Sequence, residues 1–293
     1  MWTHKRVVAV AGAALFLVAC GEQLTAPTSA RAPAPGGVSR YLGPTTVSLT
    51  VRPSSPEVTT SNVAGVAGDY ASGHASGSIA SNGVAKSEIY LTPAALFGRD
   101  VTLSEIASMS YFTKKGTTHA VEPRDWYLTI YTKPFVGQST AQWYGARIGT
   151  EPYFSANILD PASTWNQWST IGGTNTLRFF ESTAGATGAT FGSYSDPHWS
   201  AFVAGNALSG PATTGGPYSY AGQSLLLFSV QTGSAWAAGF TGQLDGLEIT
   251  LTDGSVATVN FEPNLPACTT TCYADAVGGN DANGGASAAD AKK

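Results

Sequence analysis

This sequence predicts an all-β fold, with two antiparallel sheets packed face to face as a β-sandwich of the jelly-roll kind. Three observations carry the prediction. Charged residues make up only 12% of the chain, about half the usual share of roughly 25%, while 34 glycines supply turn positions for short strands. Helix-forming Glu, Lys and Arg are scarce, and no stretch keeps a helical apolar period over several turns. From Thr46 to about Pro266, short strand signals recur between Gly, Asn, Asp and Pro punctuation without βα alternation. At 293 residues and 43% hydrophobic the chain can bury one large core, since all-β domains often reach about 200–250 residues undivided. A formal charge of −4 with no basic run beyond the N-terminus excludes a nucleic-acid partner.

Residues 1–19 read as a signal peptide. Lys5 and Arg6 precede an apolar stretch from Val7 to Val18, shorter than the roughly 20 residues that span a bilayer. Leu17-Val18-Ala19-Cys20 resembles a bacterial lipobox, and the resemblance implies cleavage before Cys20 and acylation of its thiol. Gly21 stands where many inner-membrane lipoproteins carry Asp, so the expected location of the exported lipoprotein is the outer membrane or cell surface, held by a lipid anchor. Residues 20–45, rich in Pro, Ala, Thr and Ser, read as a flexible linker behind that anchor. With Cys20 lipidated, Cys268 and Cys272 remain, and an exported chain points to a disulfide within "CTTTC". Two free thiols or a weak metal pair are the alternatives, and no His is close in sequence to strengthen the second.

The sandwich is expected over 46–266. "DWYLTIYTK" alternates: Trp126, Leu128 and Ile130 point to the core, while Tyr127, Thr129, Tyr131 and Lys133 point to a face that meets water or a ligand. "SLLLFSVQ", 224–231, is apolar on both faces at its centre, as an inner strand should be. In "LEITLTDGSVATVNFE" a two-residue Asp253-Gly254 turn would pair Leu251 with Val256 and mix the faces. A three-residue loop, Thr252 to Gly254 with Gly254 left-handed, pairs Ile249 with Ala257 and Leu247 with Val259. That register leaves Glu248, Thr250, Thr258, Asn260 and Glu262 on the opposite face.

"GFTGQLDGLEITLTDGSVATVNFEP" resembles the closing strands of concanavalin A-like or laminin G-like sandwiches of bacterial surface proteins. The resemblance implies a domain that binds carbohydrate, hydrolyses it, or packs against a neighbour. "CYADAVGGNDANGGASAADAKK" is similar to the segment that precedes the first coil of right-handed parallel β-helix proteins. The tail, 267–293, is therefore expected to be the start of a truncated β-helix or, alternatively, a disordered Gly/Ala segment, poorly ordered from 274 onward in either case. Asp281, Asn283 and Gly284 match part of a calcium loop but lack its remaining acidic ligands. No cofactor is expected, and a structural calcium ion has no assigned site.

Catalytic signals are thin. One concanavalin-like hydrolase family carries E-x-D-x-x-E, and this chain has Gln243-Leu244-Asp245-Gly246-Leu247-Glu248. Gln243 would replace the nucleophile, and an amide cannot form the glycosyl ester, so Asp245-Gly246 is expected to shape a turn or bulge. No other pair stands out among Asp125, Glu151 and Asp196, and no catalytic residue is assigned. His74, His119 and His198 are isolated and read as surface or turn histidines. Aromatic residues beside turns are the positive signal, because flat rings stack on sugar faces while nearby polar groups fix hydroxyls. The candidate ligand-binding residues are Tyr127, Tyr131, Trp143, Tyr144, Trp165, Trp168, Asp125 and Asp196, against the ordinary alternative that Trp fills the core. The leading expectation is a non-catalytic, lectin-like lipoprotein whose partner is a polysaccharide or cell-surface glycan. A structural or adhesion module and a glycan-degrading enzyme are the alternatives.

Overall fold

Leu247, Ile249 and Leu251 alternate with Gln243, Glu248 and Thr250 along one strand, and that strand is the spine of the molecule. In the computed structural model the described residues are 44–55, 58–74, 76–83, 85–116, 125–135, 142–156, 162–172, 176–208, 218–233 and 239–264. The signal peptide, Cys20, the linker before residue 44, Cys268, Cys272, His119 and the Gly/Ala tail lie outside them. Thirteen strands are numbered here in chain order: β1 Thr46–Val51, β2 Thr59–Ser61, β3 Val63–Ala67, β4 Gly77–Ser81, β5 Glu88–Leu91, β6 Ile106–Lys114 and β7 Tyr127–Thr132. They continue as β8 Arg147–Thr150, β9 Asn166–Ser169, β10 Phe180–Glu181, β11 Leu225–Gln231, β12 Gln243–Leu251 and β13 Val256–Phe261. Three one-turn helices interrupt them, α1 Pro93–Phe97, α2 Pro152–Ala156 and α3 Trp199–Val203.

The strands form two sheets. The six-stranded sheet runs β10-β8-β7-β11-β5-β2, and every neighbouring pair is antiparallel. In the seven-stranded sheet β12 pairs with β6 along one edge and with both β4 and β13 along the other. One pairing departs from the antiparallel rule: β1 runs parallel to β13. No tight turn joins these two strands, so no hairpin dictates their relative direction.

The cores of both sheets come from one phase of each strand. Leu128, Ile130, Ile148, Phe228, Val230, Ile89 and Leu91 from the six-stranded sheet are buried. So are Met109, Tyr111, Leu244, Leu247, Ile249, Val259 and Phe261 from the seven-stranded one. Trp126 joins the two layers, its indole N–H donating to the Gly242 carbonyl at 2.7 Å. This is the packing of a β-sandwich, with β11 an inner strand hydrogen-bonded to β7 on one edge and to β5 on the other.

The β12–β13 hairpin has the bulged register. Leu247 faces Val259 and Ile249 faces Ala257. The loop closes when Leu251 N–H donates to Ser255 O at 2.8 Å, with Gly254 at φ 86°. At the other end of β12 the ladder shifts between Asp245 and Glu248, and Gly246 takes φ 57°. Here β12 hands its edge from β4 to β13. The buried Asp245 carboxylate replaces the lost ladder partners by accepting from the Gly246 amide at 2.8 Å, the Ala71 amide at 2.9 Å and the Phe261 amide at 3.3 Å. The sequence stretch aligned with a hydrolase motif is therefore a structural bulge. Gln243 sits on the same face and donates to Ser78 Oγ at 3.0 Å.

Candidate functional site

Opposite the core, the second phase of the six-stranded sheet builds a polar and aromatic face from five adjacent strands. One row across it reads Glu88, Gln231, Tyr127, with Glu151 just beyond the end of β8. The next reads Tyr90, Ser229, Thr129, Gly149, Phe180, and a third holds Leu227, Tyr131 and Arg147. The alternation that sends Leu128 and Ile130 inward obliges Tyr127, Thr129 and Tyr131 to stand together on this side.

Hydrogen bonds fix the middle of the face. Gln231 Nε2 donates to Thr129 Oγ1 at 2.8 Å, and Ser229 Oγ donates to Gln231 Oε1 at 3.1 Å. Arg147 Nε donates to Ser182 Oγ at 3.0 Å, which holds the guanidinium at the β8 end of the face. Lys86 pairs with Glu88 at its other side. Burial pushes the Tyr127 hydroxyl well above the usual tyrosine range, and the nearby Glu151 charge adds to the effect. Burial likewise raises Tyr131 to about 12, with Arg147 opposing. Glu151 is also raised by burial, and Arg147 again works against the shift.

An aromatic trio closes one end. Tyr131 lies 4.7 Å from Trp143 and 5.0 Å from Tyr144, and Trp143 and Tyr144 meet edge to face at 5.0 Å. The local sequence explains the placement. Gly145 N–H donates to Thr132 O at 2.9 Å and Ala146 N–H to Thr132 Oγ1 at 2.7 Å, clamping the segment to the end of β7. A Cβ on Gly145 would sit 2.5 Å from Lys133 O, so only glycine permits this approach. Trp143 remains 48% exposed, with its ring leaning on Tyr131.

The eight sequence candidates divide among four places. Tyr127, Tyr131, Trp143 and Tyr144 share the face just described. Tyr131, expected at the surface, is only 5% exposed, because Trp143 and Tyr144 pack against it. Thr129, expected on the same open face, is buried as well, beneath the Gln231 amide. Trp168 and Asp125 are core residues, which corrects their assignment to a ligand. Trp168 Nε1 donates to Thr113 Oγ1 at 2.7 Å, and that hydroxyl donates to Asp125 Oδ2 at 2.6 Å, a buried polar relay inside the sandwich. Trp165 belongs to the opposite sheet, where its indole N–H donates to Asp69 at 3.1 Å and its ring lies 5.9 Å from Lys114 Nζ. Asp196 shapes its own loop, accepting from Ser193 N–H at 2.6 Å.

Arg147, Gln231, Glu88 and Tyr90 were not singled out from the sequence. Gln231 and Ser229 carried a readable signal, polar residues in one phase of a strand whose other phase is apolar. Of the histidines, His74 caps the Gly246 bulge, with Nδ1 3.3 Å from Asn260 Oδ1, and His198 precedes α3, with Nδ1 3.1 Å from Leu177 O. No cluster of metal-ligating side chains is found among the described residues. No family model, curated protein or solved structure matches the chain.

Proposed function

We propose that this chain is an exported lipoprotein whose β-sandwich binds a carbohydrate polymer, without cleaving it, on the outer face of the six-stranded sheet. The observation that carries the reading is the partly exposed Trp143 ring, braced by Tyr131 and Tyr144 beside Arg147. A sugar ring stacks on such a platform, while the Arg147 guanidinium can meet its hydroxyls. Export and the lipid anchor rest on the sequence, Lys5 and Arg6 before an apolar run that ends at Cys20.

The carboxylates speak against hydrolysis on this face. Glu88 and Glu151 lie in one row with β11 and β7 between them, three strand spacings or roughly 14 Å between backbones. Paired carboxyl groups of glycosidases stand about 5–10 Å apart. Gln231 and Tyr127 occupy the intervening positions, and Glu88 is paired with Lys86.

The test is a glycan array probed with the chain carrying Cys20→Ser, which removes the acylated thiol. Binding to a polysaccharide that Trp143→Ala weakens about tenfold or more supports the proposal. Absence of binding across a broad array refutes it.

A second reading, an adhesion module, draws support from β3. Among the described residues this strand has β4 as its one neighbour, and its VAGVA run offers an uncharged, largely exposed edge. Edges of that kind pair with other strands unless charge or proline blocks them. If the edge serves assembly, Val66→Lys will convert an associating chain into a monomer in analytical ultracentrifugation. A wild-type chain that is already monomeric at high concentration removes the reading.

A further inference from the structure

A second group of aromatic side chains continues the same face past its β10 edge. Phe180 lies over Gly149, where a Cβ would come within 3.0 Å of the ring, so the missing side chain lets the ring cover β8. Gly192 repeats the device: a Cβ there would meet Phe154 at 2.4 Å and Phe180 at 2.9 Å. Beyond Phe154, the Tyr153 and Tyr194 rings follow at centroid separations of 5.2 and 5.5 Å along the chain of contacts. Tyr194 is 40% exposed and Phe191, on the same loop, is 88% exposed.

From Tyr131 to Phe180 the backbone separation is two strand spacings across and two residues along, about 12 Å. That distance exceeds one sugar unit. We infer that the two aromatic groups are the ends of one extended site that takes an internal run of a linear polysaccharide, crossing β7, β8 and β10, rather than a terminal sugar. The inference rests on the carbohydrate reading above and adds the class of ligand. A linear polymer presents successive flat faces, which a row of rings separated by polar side chains can follow. Arg147, partly exposed, lies along the path between the two ends, while Thr129 and Gly149 form its floor beneath Gln231 and the Phe180 ring.

The experiment is calorimetry on the Cys20→Ser chain with the oligosaccharide series of whichever glycan the array selects, from disaccharide to octasaccharide. Affinity should rise roughly tenfold or more with chain length before reaching a plateau. Phe191→Ala and Tyr194→Ala should abolish most of that rise and leave disaccharide binding unchanged. Trp143→Ala should weaken every member of the series. Length-independent affinity, or full-strength octasaccharide binding by both loop variants, overturns the extended site while leaving the Trp143 platform in place. No glycan binding at all overturns both readings. Because Phe191 and Tyr194 are exposed, their variants should keep the wild-type melting temperature, which separates lost binding from lost folding.

Discussion

Replacing Gly246 by alanine probes the junction on which the seven-stranded sheet turns. Gly246 has φ 57°, a conformation that costs an alanine roughly 1–2 kcal/mol. Its new Cβ would also lie 2.3 Å from His74 Nε2 and 2.5 Å from His74 Cε1, so the imidazole must leave its seat. There it meets Phe112 edge to face at 5.5 Å and Asn260 at 3.3 Å, contacts worth about 1 kcal/mol together. The expected destabilisation is about 2–3 kcal/mol, or a fall in Tm of roughly 5–10 °C for a domain of this size. Differential scanning calorimetry and urea unfolding measure it, and His74→Ala in the same chain separates its parts. The double variant should recover the steric share and keep the backbone share, giving a coupling of about 1 kcal/mol. An unchanged Tm for Gly246→Ala, or no coupling to His74, would show that the bulge is not held in this way.

Other consequences follow from buried polar groups. The Glu262 carboxyl is pushed up to about 7 by burial and by the neighbouring Asp245 charge, against Asn260 and Arg52. The folded state therefore holds that proton more tightly than the unfolded chain, whose glutamates titrate near ~4.3. Stability should rise as pH falls from about 8 to about 5.5, by on the order of 1–2 kcal/mol, and Glu262→Gln should flatten that slope in urea titrations. Asp125→Ala leaves the Thr113 hydroxyl and the Trp126 amide without their acceptor and should cost about 2–3 kcal/mol in the same assay. Asp125→Asn, which retains an acceptor, should cost less. Trp143→Ala loses its ring contacts with Tyr131 and Tyr144 and should cost about 1–2 kcal/mol of stability, leaving the domain folded in the binding assay.

Local chemistry is what made parts of this molecule readable. The Asp253-Gly254 pair and the alternation on either side of it suffice to place Leu247 against Val259, because a one-residue slip would turn both strands inside out. The inward phase of Trp126, Leu128 and Ile130 was legible for the same reason. Alternation tells which side a residue faces but not what covers that side. Tyr131 and Thr129 were placed on the correct face, yet they are covered by Trp143, Tyr144 and Gln231 from distant segments. Trp165 and Trp168 look equivalent beside their turn residues. Pairing of Trp168 with Tyr111 on β6 is what carries one ring into the core and leaves the other at the rim. The parallel β1–β13 contact and the row from Glu88 to Tyr127 join residues far apart in sequence, and no short-range pattern announces them.

The most direct measurement is a titration of isotopically labelled Cys20→Ser chain with its array-selected oligosaccharide, followed by amide and indole chemical shifts. Shift changes gathered at Tyr131, Trp143, Tyr144, Arg147 and Gln231, with Trp165 and Asp69 on the opposite sheet unmoved, are the predicted result. Changes centred on Trp165 and Asp69, with the Trp143 indole silent, would contradict the account.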